Sequence, residues 1–246
     1  MTDSANTNKS LIREFFSDEM LKKIYYHATR TDIADNNEKA VMLQELLGPT
    51  FVELGTGTNR MSFLHNGMVV KIALDYRGMI DSFTEFKRSE EAPQYLAHTY
   101  ECNMLIAISQ YLNLMDQSQF VDNKEGILAV LEELSKAYIF DDIGFTTKNF
   151  ENWGYDDDGN IKVLDYGYMY PRRGQEEALT CPQCMSLLKY NSLYTSFKCS
   201  NDRCKVEFRP MEIRRRMRRD LEDLESRTIS MLNQVSMPDF NSIIIK

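Results

Sequence analysis

Apolar positions along the chain switch between helical and strand spacing, and the switches mark out the elements. Over residues 10–29, Leu11, Phe15, Met20, Ile24 and Ala28 recur at helical spacing, with Leu21 and Tyr25 beside them. Ser17-Asp18 predicts the cap of a second helix within this stretch. A further helix is expected over 37–47, closed by Gly48 and Pro49. The period then falls towards two. "FVELG" predicts a strand. "MSFLH" and "MVVKIAL" around Asn66-Gly67 predict a hairpin, because that dipeptide suits the tight turn between twisted strands. A helix follows over 79–92, then two strands in "AHTYECN" and "MLIAISQYL". One helix is expected over 117–137, with Ile127, Leu128, Leu131, Leu134 and Ala137 facing inward. "YIF", "WGY" and "IKVLD" predict short strands, with "DDDGN" a turn between the last two. Beyond Pro171 the composition shifts to cysteine and polar residues, and helical spacing returns over 211–235.

Composition fixes the class. Hydrophobic residues make up 43% of the 246 and charged residues 27%, enough apolar surface for a real core. A net charge of −8 argues against bulk non-specific nucleic-acid binding and leaves only a local basic patch for that role. No apolar run approaches the ~20 residues of a membrane span, and "MTDSANTNKS" has no apolar core of the signal-peptide kind. A soluble, cytoplasmic protein without membrane partners is expected. In a reducing compartment, four cysteines in two close pairs suggest metal rather than disulfides.

The candidate chemistry begins at Gly55-Thr56-Gly57-Thr58, which joins two predicted strands. Glycines there let backbone N–H groups approach a phosphate. Lys71 follows inside the apolar strand "MVVKIAL", where a bare ammonium is costly without an anionic partner. Two glutamates of the following helix are available, Glu85 and Glu90. Five residues turn a helix by about 140°, so only one can face Lys71, and Glu85 is favoured. Further on, the strand "IKVLD" ends in the carboxylate Asp165, followed by Tyr166 and Gly167, with Asn152 of "NWG" thirteen residues before it.

In this order and on these elements, GTGTNR, VVKIA, NWG and LDYG resemble the protein-kinase-like fold over roughly residues 50–170. Small kinase-like proteins encoded by bacteriophages are similar in pairing NWG with LDYG. The resemblance implies an α+β, two-lobed protein-kinase-like fold with a reduced C-lobe. It implies ATP and Mg²⁺ as ligands, with Gly55, Gly57, Lys71 and Glu85 serving the phosphates and Asn152 and Asp165 holding the metal. The activity implied is phosphoryl or nucleotidyl transfer to a protein. The chain departs from the family at the catalytic loop. The position five before Asn152 is Thr147, and no His-Arg-Asp precedes it. Asp141 and Asp142, at the end of the preceding strand, are the nearest carboxylates, with Asp142 the better placed as a displaced base; Lys148 is a nearby cation. A catalytically degenerate pseudokinase, acting as a zinc-containing binding or structural phage protein, is the alternative. If the chain is phage-encoded, host cytoplasm or virion is the location expected under either reading.

Cys181-Pro-Gln-Cys184 and Cys199-Ser-Asn-Asp-Arg-Cys204 stand fourteen residues apart. Each pair can turn two thiolates onto one ion, and four thiolates close a tetrahedral structural Zn²⁺ site with no open position for catalysis. Cys102, alone in a strand, is expected to be a small buried residue. The helix after the ribbon crowds Arg214, Arg215, Arg216, Arg218 and Arg219 into its first turns. That charge opposes the helix dipole and suits a solvated face or an anionic partner such as RNA, phosphate or an acidic protein surface. The organisation expected is N-terminal helices over 1–48, a kinase-like N-lobe over 49–112 and a reduced C-lobe over 113–174. A zinc ribbon over 175–208 and an amphipathic helix with its tail over 209–246 complete it.

Overall fold

The computed structural model describes residues 10–30, 35–140, 143–146, 148–171, 184, 186, 188–191, 196–204 and 206–208. Asp141, Asp142, Thr147, Cys181 and the Arg-rich helix lie outside them. The described chain is a mixed α/β structure in two compact units, one of residues 10–86 and 99–111, the other of 87–98 and 112–208. Among the described residues no helix is long and apolar enough to cross a membrane.

The first unit starts with α1 (Leu11–Phe15), α2 (Asp18–Thr29) and α3 (Asn36–Leu47). Ser10 and Ser17 cap the first two by accepting from Arg13 N and Met20 N. Ile12 and Phe16 are the buried pair near the N-terminus, one position on from the expected Leu11 and Phe15. The reason is a tertiary cap. The buried Glu101 carboxylate accepts from Ser10 Oγ at 2.6 Å, Leu11 N at 2.6 Å and Ile12 N at 3.2 Å, which fixes how α1 is turned. Lys39 is buried too, and its ammonium donates to the Ala28 and Leu74 carbonyls, tying α2 to the sheet.

Five antiparallel strands follow: β1 (Val52–Thr56), β2 (Arg60–His65), β3 (Met68–Ala73), then, after α4 (Tyr76–Glu91), β4 (Thr99–Cys102) and β5 (Ile106–Gln110). Their order is β1-β2-β3-β5-β4. The β2–β3 hairpin turns at Asn66 (φ 50°) and Gly67 (φ 75°), the two left-handed residues this turn demands. Helix α4 begins at Tyr76, three residues before the start expected, because Asp75 Oδ1 accepts from Gly78 N at 2.8 Å and caps it.

The second unit holds β6 (Asn113–Leu114), α5 (Gln117–Asp122), α6 (Lys124–Ala137), β7 (Tyr138–Phe140), β8 (Trp153–Tyr155), β9 (Ile161–Val163) and β10 (Met169–Pro171). A hairpin of β11 (Leu188–Asn191) and β12 (Ser196–Cys199) follows, with β13 (Glu207–Phe208) beside β12. The single helix expected over 117–137 is two helices. Asp116 and Gln119 form a capping box that starts α5, and Asn123 Nδ2 donates to the Gln119 carbonyl and stops it. Within α6, Ile127, Leu131 and Leu134 are buried as expected and Leu128 is half-buried, but Ala137 is exposed and Val130 is buried as well. The core of this unit gathers Phe120, Ile127, Leu131, Leu134, Phe140 and Trp153.

Candidate functional site

In the first unit the glycine segment ends β1 and leads into β2. Gly55 sits opposite Ser62, just past a register shift that begins at Glu53. Gly57 N donates to the Arg60 carbonyl at 2.8 Å. Neither glycine has positive φ. A Cβ on Gly55 would meet nothing within 4 Å, and one on Gly57 only the Arg60 carbonyl at 3.5 Å. The fold's own packing therefore does not demand glycine at either position, and the bare backbone leaves room for an incoming group. The segment after them is held firmly. Thr58 O accepts from Asn36 Nδ2 at 2.7 Å, Asn59 O from Leu74 N at 2.8 Å, and Asn59 Nδ2 donates to Asp81 at 3.2 Å. A Cβ on Gly78 of α4 would lie 2.1 Å from the Asn59 carbonyl, so helix and loop touch backbone to backbone.

Lys71 lies mid-strand in β3, and its ammonium reaches Glu85 Oε2 of α4 at 2.7 Å. The Arg60 guanidinium takes the other carboxylate oxygen, Oε1, at 2.8 Å. Glu85 is completely buried. Burial alone pushes its carboxyl up, but the charges of Arg60 and then Lys71, with their hydrogen bonds, outweigh it and bring it down to about 2. Glu90 instead stands 3.8 Å from Lys87 on a half-exposed stretch. The structure thus brings Lys71 to Glu85 rather than Glu90. Arg60 is the residue that sequence reasoning missed. The hairpin register pairs Ser62 with Lys71 and Arg60 with Ala73, so Arg60 and Lys71 share a sheet face on the diagonal.

In the second unit, β8 and β9 form a hairpin in which Trp153 pairs with Val163. Its tip is the "DDDGN" turn, where the Asp156 carboxylate accepts from Asp158 N, Asn160 N and Asn160 Nδ2, and Gly159 takes φ 80°. At the opposite end Leu164 N donates to the Asn152 carbonyl at 3.1 Å. Asn152 and Asp165, thirteen apart in sequence, are therefore brought to one end of one hairpin. Asp165 is exposed and Tyr166 buried, its hydroxyl donating to the Ala97 carbonyl. Lys148 is exposed. The displaced-base candidates, Asp141 and Asp142, lie outside the described residues.

Also in the second unit, the sulfurs of Cys184, Cys199 and Cys204 lie within 4.8 Å of one another, with Cys184 and Cys199 3.4 Å apart. A tetrahedral ion with Zn–S bonds of ~2.3 Å separates its sulfurs by roughly 3.8 Å, so the spacing fits. Asn201 N donates to Cys199 Sγ at 3.4 Å, as suits a thiolate. Hydrogen bonds from Ser186, then those with Cys199 and Cys204, draw the Cys184 thiol down to about 6, towards the metal-binding form. These three cysteines could bind a metal such as zinc; Cys181, the fourth expected ligand, lies outside the described residues. Cys102 is buried, and burial pushes its thiol up to about 12, which suits a packing residue.

No family model and no curated protein matches the chain. Among solved structures it is similar to the bifunctional kinase-methyltransferase WbdD, at 15% identity and a TM-score of 0.34, over 48% of this chain and 31% of that one. The chain spans about a third of that protein's length, and a likeness this distant carries nothing about chemistry.

Proposed function

We propose that this chain is a two-lobed, kinase-like protein that binds ATP·Mg²⁺ and transfers a phosphoryl or nucleotidyl group to a protein. The observation that carries the reading is the buried Lys71–Glu85 ion pair at 2.7 Å. A lysine held mid-strand by a helix carboxylate is pre-positioned to present one charge to a phosphate. In this reading residues 49–112 form the N-lobe and 113–174 the reduced C-lobe. The backbone of the glycine segment, residues 55–58, approaches the phosphates closely, and Glu85 holds Lys71 in place. Asn152 and Asp165, oxygen donors at one hairpin end, hold Mg²⁺. That ion, when bound, neutralises charge on the transferred phosphate. Cys181, Cys184, Cys199 and Cys204 hold a structural Zn²⁺ in the ribbon, residues 175–208.

The catalytic-loop sequence favours a second reading. Thr147 stands where a carboxylate base is expected. Without a base, nucleotide binding survives and transfer is slow or absent, which describes a pseudokinase that grips a partner. Two measurements on the purified protein separate the readings, a thermal shift with ATP·Mg²⁺ and transfer of label from γ-labelled ATP. Stabilisation with labelling supports the enzyme, and stabilisation alone the pseudokinase. Lys71→Ala and Asp165→Ala should each abolish the shift, one removing the counter-charge and the other the metal ligand. Nucleotide binding unchanged in both variants would sink both readings and leave a structural protein.

A further inference from the structure

Strand β7 has a different core on each face. Tyr138 and Phe140 point into the main core of the second unit, with Trp153, Tyr166 and Met169. Ile139, between them, points the other way and packs with Leu188, Phe197 and Cys199, against which Cys184 and Cys204 also lie. This is the period-two alternation of a strand buried on both sides. Among the described residues the only strand paired with β7 is β10, through Met169–Phe140, Tyr170–Ile139 and Pro171–Tyr138. Met169 N in turn donates to the Tyr166 carbonyl at 3.0 Å, closing the turn that carries Asp165, Tyr166 and Gly167.

We propose that the cysteine cluster, when it holds its metal, positions the segment 165–167, with Ile139 as the positioning residue between them. Among the described residues the cluster's apolar core is Leu188, Phe197 and Cys199 with Ile139, and Cys184 and Cys204 pack against it. A bound metal cross-links the strands that carry these cysteines and supplies folding free energy to them. When the metal leaves, the hairpin opens and Ile139 loses its cover. A two-stranded ladder of three residue pairs is marginal by itself. β7 and β10 then loosen together, and Met169 no longer closes the turn on Tyr166. The side chain that feels this is Asp165, whose fixed position any ligand it serves requires. The inference rests on the metal reading of the cluster and not on nucleotide binding.

Hydrogen exchange on the full chain tests it without any nucleotide. Zinc is stripped by a chelator under reducing conditions, and metal content is measured in parallel. Exchange of the amides in 163–171 should rise at least tenfold, while amides of β3 keep their protection. Trp153 is the only tryptophan, and its buried emission should shift to the red as the shared core loosens. Ile139→Ala should reproduce the faster exchange of 163–171 with zinc still bound, and Ile139→Val should restore most of the protection. Unchanged protection of 163–171 after complete zinc loss would overturn the proposal. So would loss of protection in β3 and 163–171 alike, or purified protein that contains no zinc.

Discussion

Removing Arg60 and Lys71, singly and together, tests whether Glu85 is held by two cations rather than one. The ordinary carboxyl value of 4.5 falls to about 2 at Glu85, against a burial penalty acting in the opposite direction. At ~1.36 kcal/mol per tenfold change in proton affinity, that fall corresponds to about 3 kcal/mol of net stabilisation of the folded state. Arg60 contributes the larger attraction and Lys71 the next. Lys71→Met therefore leaves the carboxylate still paired at Oε1 and should cost about 1–2 kcal/mol. Arg60→Met should cost more. The double variant strands a fully buried charge, for which removal costs of about 3–5 kcal/mol are typical, unless the carboxyl takes up a proton.

The sign with pH separates these cases. In the wild type the folded value lies below the unfolded one. The contribution is then complete above pH 4.5 and is lost as pH falls from 4.5 towards 2. In the double variant only burial acts, the folded value rises above 4.5, and stability should fall as pH climbs through that point. The assay is urea-dependent hydrogen exchange of the β2 and β3 amides between pH 3 and 7, with Glu85→Gln as the reference that cannot titrate. Wild type and Glu85→Gln losing stability in parallel below pH 4.5 would refute the reasoning. So would a double variant no weaker than the sum of the singles.

Gly78→Ala should destabilise the first unit by about 1–3 kcal/mol, seen as a lower urea midpoint, because the new Cβ must displace the Asn59 backbone at 2.1 Å. Tyr166→Phe removes the hydroxyl that donates to the Ala97 carbonyl and should cost about 1 kcal/mol in the second unit, while zinc content stays the same. If the protein transfers phosphoryl groups through Asp142, Asp142→Asn should lower turnover ~10²–10⁴-fold with ATP affinity little changed. Labelling at the wild-type rate would remove that residue as the base.

Much of the first unit's sheet was legible because its signals are local. Asn66-Gly67 fixes both a turn and a register, and alternation then decides which side chains face the core. Helix ends were less legible where the cap comes from elsewhere in the chain. Nothing in residues 10–16 says that Glu101, some ninety positions later, will turn α1 so that Ile12 and Phe16 are buried. Asn123 could have been read as a stop within 117–137. The apolar spacing runs almost unbroken across it and predicts one long helix, whereas the side chain's bond to the Gln119 carbonyl ends α5 there.

Arg60 shows what a motif search leaves out and a register recovers. A glycine loop followed by a strand lysine directs attention along the chain to a helix glutamate, and the glutamate found is Glu85. The turn at Asn66-Gly67 also sets which residues of β2 stand against those of β3. Counting outward from it pairs Ser62 with Lys71 and Arg60 with Ala73. Lys71 and Arg60 then lie on one face, at the diagonal separation of roughly 7–8 Å that long side chains bridge. Any carboxylate that reaches Lys71 from above that face is also within reach of Arg60. A buried acid with two cations is harder to neutralise by protonation than one with a single partner. Arg60 is therefore the second cation, beside Lys71, that keeps the buried Glu85 charged.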